Sequence, residues 1–419
     1  MKRLFCIFLA ALLFAACTAK PDTAEKTDPK PEPTKVPAQV LNAEIPEITG
    51  YESFSDVLAS KLLDGTANKN LSPISVYLAL AMTAEGASGE TQQKMLKLLG
   101  CKTIEELRGI CGAMLETLSI DKDGSSLALA NSIWMTNSLG GVDVTFGGDY
   151  MKTLADVFRA EANTVDFTQQ STKKQIGDWI TEHTRGKIKI SEDALDFDEA
   201  TLAVLINTIY LKDAWAYEFY EGATESGTFY GLTGELIVEY MNRFDRASSI
   251  VKGDGFLRYS LPLRRVGRMT FILPDEGVSL SDLLASPESL HALLTGGESI
   301  RADVSVKLPK FKFQDRFDLA EPLKELGIAI AFSDGADLSG MSNVPAKISN
   351  VIQESYIGVD ENGVEAAAYT MVVVDGETAM EPENLPKIDF HLTRPFLYVI
   401  ESWDGTVLFI GTITAPAFE

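Results

Sequence analysis

The spacing of apolar residues changes along the chain, from helical in the first half to strand-like in the second. Helices are predicted over Tyr51–Leu63, Ile74–Ala84, Thr91–Leu99, Thr103–Leu118, Gly148–Phe158 and Thr172–Thr184. Strands are predicted over Leu127–Trp134, Leu202–Tyr210, Leu236–Met241, Met269–Leu273, Asp303–Lys307, Leu397–Ile400 and Val407–Ile413. Hairpin-like spacing replaces a repeating βα pattern. The order therefore predicts an α+β fold with mainly antiparallel sheets.

Two segments carry additional signals. Ser72-Pro73 is typical of a helix start, with serine at the cap and proline in the first turn, and the apolar residues after it predict a buried helix. Leu202–Leu211 is almost continuously apolar, which is expected of a strand covered on both faces in the middle of a sheet.

The first seventeen residues have the pattern of an export signal. Lys2 and Arg3 precede an apolar run, Leu4–Ala16, that is too short to span a membrane as a helix. Phe14-Ala15-Ala16-Cys17 resembles a bacterial lipoprotein cleavage box, in which Cys17 would carry the lipid. We expect an exported protein, held at the bacterial cell surface or outer envelope as a lipoprotein. The alternative is plain secretion with a coincidental cysteine.

Residues 18–46 are rich in Pro, Lys, Thr, Glu and Ala, and they cannot bury a core. We interpret this segment as a disordered linker. Residues 47–419 contain no second proline-rich break, internal repeat or block of charge, so they are predicted to form a single domain.

Composition excludes several classes of function. A net charge of −23 and a pI near 4.6 argue against nucleic-acid binding, which needs clustered Lys and Arg. His183, His291 and His391 lie far apart without metal-ligand spacing, so no metal site is expected. Cys101 and Cys111 are too few for a disulfide framework, and they are predicted either to bridge or to be free, half-buried thiols.

No usable nucleophile elbow, zinc-protease helix, phosphate-binding loop or dinucleotide fingerprint occurs in the sequence. The acidic pairs Glu105/Glu106 and Glu192/Asp193 are of the kind that usually forms solvated surface. The chain is therefore predicted not to be an enzyme and to use no cofactor. A secreted hydrolase is the third hypothesis, and it lacks an identifiable nucleophile and base.

The segment from about Glu361 to Pro386 does not fit an ordinary domain. From Val364 onward every second residue is small or apolar (Val364, Ala366, Ala368, Thr370, Val372, Val374 and Gly376), which is typical of a strand that could slide between two others. A polar stretch follows, with the character of an exposed, cleavable loop. An ordinary edge strand with a loop, or an alanine-rich helix, is the simpler interpretation of this segment alone.

Several motifs recur in the order found in one family. They are Asn70–Ser75, Asn131–Trp134, Trp179-Ile180, Thr184–Ile188, Ile206–Lys212 with Trp215, Leu308–Phe311, Ala336–Met341, Gly363–Ala368, Arg394–Phe396 and Leu408–Gly411. From about Ile48 to its C-terminus the chain resembles the serpins, the serine protease inhibitor family. The resemblance implies three mainly antiparallel sheets, eight or nine helices and an exposed reactive loop. It also implies a mechanism in which a peptidase cleaves the loop, forms an acyl-enzyme and is trapped as the loop inserts into the large sheet.

The resemblance assigns roles to individual positions. Gly363, Val364, Glu365, Ala366, Ala367 and Ala368 match the hinge, where the absent Cβ of Gly363 permits a pivot. Glu361 and Lys310 match positions that can pair at the top of the sheet near Trp215. Ser72, Ser75 and Asn207 match the region that must part. Gln353 stands where many members have a histidine bonded to the equivalent of Asn207, so the opening step is expected to differ in strength. Each of these residues could equally serve only to hold the fold.

The reactive bond has more than one candidate. Family spacing from Gly363 places it at Glu377-Thr378, whereas counting back from Pro395 places it near Asn384-Leu385. A cut after Glu377 would suit a glutamyl-specific peptidase, and a cut after Thr378, Ala379 or Met380 would suit elastase-like enzymes. The expected partners are therefore serine peptidases of these two kinds, or alternatively cysteine peptidases. The active inhibitor is expected to be a monomer. The second hypothesis is a non-inhibitory, serpin-like binding protein.

Overall fold

The structure is a computed structural model that describes residues 48–191, 195, 197, 199–365 and 384–418. These residues belong to one compact unit, Ile45–Glu419, and a second unit, Met1–Glu44, lies outside the described residues. The described part contains nine α-helices: α1 Tyr51–Leu62, α2 Pro73–Glu85, α3 Gly89–Leu98, α4 Ile104–Thr117, α5 Gly148–Asp156, α6 Gln170–His183, α7 Leu280–Leu283, α8 Pro287–Thr295 and α9 Ala320–Leu323. The predicted export signal, lipid-bearing cysteine and linker all fall outside the described residues.

Eighteen strands form three sheets in the described part of the chain. They are β1 Lys69–Leu71, β2 Ile120–Lys122, β3 Ser125–Met135, β4 Ser138–Leu139, β5 Val142–Asp143, β6 Glu161–Thr164, β7 Ala203–Ala214, β8 Glu225–Gly231, β9 Gly234–Lys252, β10 Phe256–Pro262, β11 Gly267–Pro274, β12 Glu298–Pro309, β13 Phe311–Asp318, β14 Ile352–Val359, β15 Gly363–Val364, β16 Lys387–His391, β17 Phe396–Ser402 and β18 Val407–Ile413. The predicted α+β fold with mainly antiparallel sheets is confirmed.

The nine-stranded sheet has the order β1-β18-β17-β11-β10-β9-β12-β16, with β8 paired to β9. The seven-stranded sheet has the order β13-β14-β15-β7-β3-β2, with β6 paired to β3, and β4 pairs with β5. Two pairings are parallel, β12 with β16 and β3 with β6. All other strand pairings in the described residues are antiparallel.

The apolar run on β7 is covered on both faces, as its sequence predicts. Ile209 and Leu211 belong to the main core cluster, which includes the buried face of α2. Val204 and Ile206 pack instead against a second cluster built around α6, whose Trp179 and Ile180 are buried. Strand β7 is therefore the central strand of the seven-stranded sheet, between α2 and α6.

Helix α2 is buried along nearly its whole length, again as predicted, and Pro73 occupies its first turn. Ser72 stands at the cap position, but its hydroxyl donates to Ser75 Oγ at 3.1 Å and makes no capping bond to the backbone. The helix is stabilised mainly by burial of its apolar side chains, because few of its residues remain accessible to water.

The cysteines and several strand limits differ from expectation. Cys101 and Cys111 are both free, and both are buried, more deeply than half-buried thiols. Strand β9 extends over 19 residues, far beyond the predicted Leu236–Met241, because its first part pairs with β8 and its second part pairs with β12. The sequence did not predict strands such as β8, β13 and β14, since polar residues interrupt their alternation.

Candidate functional site

A two-residue strand, β15, lies at one end of the seven-stranded sheet between β14 and β7. Gly363 is opposite Ala214, and Val364 is opposite both Asp213 of β7 and Val359 of β14. A Cβ on Gly363 would come 2.2 Å from the Asp213 carbonyl oxygen, and its φ of +155° is rarely adopted by other residues. Only glycine fits there, because the backbones of the two strands approach so closely.

An ion pair lies beside β15. Lys310 Nζ is 3.2 Å from Glu361 Oε2 and 3.5 Å from Glu239 Oε2, and Thr224 Oγ1 donates to Glu361 Oε1 at 2.7 Å. Burial by itself would raise the pKa of Glu361, but the Thr224 hydrogen bond and the Lys310 ammonium bring that pKa below its ordinary value. The Phe418 ring covers the Lys310 ammonium at 4.7 Å. The sequence suggested that Glu361 and Lys310 could pair, and the structure places them in contact.

Trp215 fixes the backbone that leads into β15. Its indole is fully buried, and Nε1 donates to the Asp360 carbonyl at 2.9 Å. Its backbone N–H donates to the Asn362 carbonyl at 2.9 Å, and the N–H of Phe219 donates to the Glu361 carbonyl at 3.1 Å. Residues 360–362 are therefore held by the segment that follows β7.

Further along the sheet, a cavity of about 640 Å³ lies between β7 and β14. Leu202–Thr208 line it on one side and Val351–Glu354 on the other, while Ser75 and Thr83 of α2 lie beneath it. Strand β15 is thus placed at one end of a gap between two strands of a sheet.

The residues that match the part of the sheet expected to open, Ser72, Ser75, Asn207 and Gln353, lie at this gap. Gln353 accepts from the Ser72 N–H at 3.0 Å and donates to the Ser72 carbonyl at 2.6 Å. Asn207 donates to Asn131 Oδ1 at 2.8 Å, and Asn207 Oδ1 has no hydrogen-bond partner in the described part of the chain. Gln353 therefore attaches β14 to the start of α2, and within the described part of the chain it forms no hydrogen bond with Asn207.

Glu365 follows β15 and turns the chain. Its φ is +47°, an unusual value for a residue other than glycine, and its amide donates to the Gly358 carbonyl at 2.7 Å. The other hinge positions, Ala366, Ala367 and Ala368, lie outside the described residues. So do Cys17 and the reactive-bond candidates Glu377, Thr378, Ala379 and Met380.

Sequence reasoning missed Asp213. This fully buried carboxylate on β7 accepts from Ser125 Oγ at 2.5 Å and from the N–H groups of Arg265 and Val266 at 2.8 and 2.7 Å. Asp213 is itself the β7 residue opposite Val364, and its carboxylate joins this position to β3 and to the β10–β11 turn. The signal was present in the sequence, since an aspartate two positions after a continuous apolar run, near the end of a central strand, requires buried partners.

Neither a metal centre nor a hydrolase relay emerges from the described residues. They contain no group of three His, Cys, Asp or Glu that could hold a metal ion, and no helix among them is long and apolar enough to cross a membrane. Ser305 Oγ lies 3.1 Å from His391 Nε2, but Asp389 approaches the same ring nitrogen, at 3.9 Å. A serine relay needs the acid on the other nitrogen.

Comparison with known proteins agrees with this geometry. The family described as "Serpin (serine protease inhibitor)" matches residues 49–416. The chain therefore belongs to the serpin family, whose members act mostly as inhibitors of peptidases and not as enzymes.

Three similar proteins illustrate the match. Serpin-ZX of Arabidopsis thaliana is 30% identical over 369 residues, which cover 84% of this chain and 92% of that protein. The native structure of tengpin, a thermophilic serpin, has a TM-score of 0.76 and 29% identity, covering 88% of this chain and 94% of that chain. Thyroxine-binding globulin complexed with thyroxine, at 23% identity and a TM-score of 0.73 over 88% of this chain and 98% of that chain, shows the shared fold alone.

Proposed function

We propose that this protein inhibits serine peptidases, or alternatively cysteine peptidases, as a single-use suicide substrate. The observation that carries the proposal is the position of β15, which already bridges β7 and β14 at one end of the gap between them. A strand that begins there can continue into the gap.

The sequence after Val364 suits such an insertion. Val364 faces the core and is almost fully buried. In an extended strand Ala366 and Ala368 would face the same side as Val364, and both side chains are small. If about a dozen residues each gain a ladder hydrogen bond of ~0.5–1.5 kcal/mol, insertion releases roughly 6–18 kcal/mol. Disturbing one oxyanion-hole donor removes ~3–4 kcal/mol of transition-state stabilisation from a peptidase, so insertion has enough free energy to stall deacylation.

The chemical step uses the ordinary reaction of the target. The peptidase nucleophile attacks the Glu377 carbonyl, the peptide bond to Thr378 breaks, and the new α-amino group of Thr378 takes up a proton. The acyl bond between Glu377 and the peptidase persists while the loop inserts. A glutamyl-specific target fits this bond, and elastase-like targets fit cuts after Thr378, Ala379 or Met380.

The proposed place of action follows from the sequence of the N-terminus. A lipid on Cys17 would hold the inhibitor at the bacterial surface, and residues 18–46 would carry the domain away from it. Without lipidation the protein would be secreted. In either case it would meet peptidases outside the cell.

The second candidate is a non-inhibitory binding protein. The same fold occurs in thyroxine-binding globulin, whose structure contains thyroxine, so the fold alone does not require inhibition. The absence of charged residues and proline at the inward parity of the hinge sequence favours the inhibitor.

The test is to incubate the mature chain with glutamyl-specific and elastase-like serine peptidases. We expect an adduct stable on denaturing gels, and mass spectrometry should find a new N-terminus near Thr378. Ala368→Arg should be cleaved without forming the adduct, because insertion would have to carry its charge into the core. Ile237→Arg is the matched control, since Ile237 is 75% exposed on β9, and it should behave like wild type.

Clean cleavage of the wild-type chain by every peptidase, with no adduct, would instead support the binding protein. An adduct formed equally well by Ala368→Arg would contradict insertion as the trapping step.

A further inference from the structure

The turn after α6 belongs to a sequence motif, Thr184–Ile188, that the proposed mechanism leaves unexplained. Arg185 adopts a φ of +49°, and its guanidinium lies 4.8 Å from the centre of the Tyr210 ring on β7. Its Nη2 donates to Ser126 Oγ at 2.9 Å. The turn is thereby attached to the outer face of the seven-stranded sheet, beside the end of β15.

Two residues of this region contact the hinge. Tyr210 Oη donates to Glu365 Oε1 at 2.7 Å, and Lys187 Nζ lies 3.4 Å from the same oxygen. The side chain of Glu365 is only 9% exposed. A hydrogen bond to a carboxylate with little access to water holds it more firmly than a surface contact does, and Lys187, whose side chain is 38% exposed, adds a weaker ion pair.

These contacts coincide with a strained backbone. Glu365 has a φ of +47°, whereas an antiparallel strand has a φ of about −140°. A residue other than glycine in the left-handed region persists only when its surroundings hold it there. The Tyr210 and Lys187 contacts belong to the kinked chain, because extending the strand past Val364 rotates the backbone that carries this carboxylate.

We propose that Tyr210 and Lys187 are positioning residues that hold the Glu365 carboxylate and so keep the intact hinge from entering the sheet beyond Val364. This inference rests on the proposed function for its biological meaning. The contact itself can be tested without any target peptidase.

The main test measures spontaneous conversion of the intact, full-length protein to a more heat-stable form at a fixed temperature. Tyr210→Phe removes a single hydroxyl, and conversion should accelerate by about three- to tenfold, as expected for one net hydrogen bond. Lys187→Met should accelerate the conversion by about two- to threefold, whereas Lys187→Arg, which keeps the positive charge, should convert at the wild-type rate. Tyr356→Phe is the matched control, because the Tyr356 ring faces the Lys187 ammonium at 5.4 Å.

A pair of substitutions at Glu365 separates the contact from the strain. Glu365→Ala and Glu365→Gly both remove the carboxylate, but glycine adopts a positive φ without strain. The alanine variant should therefore convert faster than the glycine variant. Equal rates for these two variants would contradict a strained, actively held hinge.

If the wild-type protein converts to the heat-stable form too slowly to measure, amide hydrogen exchange provides a second measurement. The Glu365 amide donates to the Gly358 carbonyl, so its exchange rate reports opening of the hinge directly. Tyr210→Phe should speed this exchange, while Tyr356→Phe should leave it unchanged. Identical exchange in Tyr210→Phe and wild type would overturn the inference, whether or not the protein forms adducts. Faster exchange without any adduct would retain it and reject the proposed inhibition.

Discussion

The two ends of the gap between β7 and β14 differ in how tightly they are packed and in whether their polar groups are hydrogen-bonded. At the β15 end, Trp215, Lys310 and Glu361 are buried or nearly so, and their polar atoms are bonded. At the other end lies a cavity of about 640 Å³, beside which Asn207 Oδ1 and Thr208 Oγ1 have no partner within the described residues. Tight packing at one end and unsatisfied groups at the other indicate where the sheet is held and where it can still gain interactions.

The largest effect is expected from breaking the packed end. Trp215→Ala removes a fully buried indole and leaves the Asp360 carbonyl without its donor, so the free energy of unfolding should fall by about 3–5 kcal/mol. Urea denaturation measures it. Trp403→Ala is the control, because Trp403 is 56% exposed. A similar loss in both variants would show that the packed end has no special role.

An intermediate effect is expected from the ion pair at the same end. Glu361→Gln leaves Lys310 with Glu239 as its only carboxylate at this site among the described residues, and should lower the free energy of unfolding at pH 7 by about 1–3 kcal/mol. The pKa of Glu361 is below its ordinary value, so the native state favours its ionised form. This stability is present above the unfolded-state pKa of about 4.3 and is lost as the pH falls through the lower native pKa.

The unfolding free energies of wild type and Glu361→Gln should therefore converge in acid. Glu325→Gln is the control for charge removal, since Glu325 pairs with Lys61 at the surface with 60% of its side chain exposed. A difference between wild type and Glu361→Gln that persists below the native pKa would argue against the ion pair as its source.

The smallest effect, of opposite sign, is expected at the unsatisfied end. Thr208 is 6% exposed and its hydroxyl lacks a partner within the described part, so Thr208→Val should raise the free energy of unfolding by up to about 1 kcal/mol. Thr412→Val is the matched comparison, because Thr412 is fully buried and its hydroxyl donates to the Ala67 carbonyl at 2.8 Å. That change should lower stability by about 1 kcal/mol. Thermal unfolding of both should show opposite shifts, and shifts of the same sign would contradict the contrast.

Local pattern was enough for much of the fold. The predicted helices near α1 to α6 occur within a few residues of their expected limits, because apolar residues at helical spacing need only one core to face. The two-sided burial of β7 followed from its continuous apolar run. Strands β13 and β14 were not predicted, because their outward-facing polar residues resemble a loop sequence until the neighbouring strands are known.

The site could be predicted by position but not by partner. Gly363 and Val364 were singled out in the sequence, and the structure places them between β14 and β7. No sequence pattern indicated that Gln353 would bind the backbone of Ser72, about 280 residues earlier in the chain. Such bonds depend on which strands meet, and a side chain of that length can reach several acceptors.

The sequence by itself determined the fold class, the family and the alternation that makes residues beyond Val364 suitable for a strand, because these are properties of residue type and spacing. Only the tertiary structure decided that β15 lies between β7 and β14, that a cavity continues the gap, and that Tyr210 and Lys187 meet at Glu365. Tyr210 and Glu365, for example, are more than 150 positions apart in the chain. Only the packing of the folded protein brings such residues together.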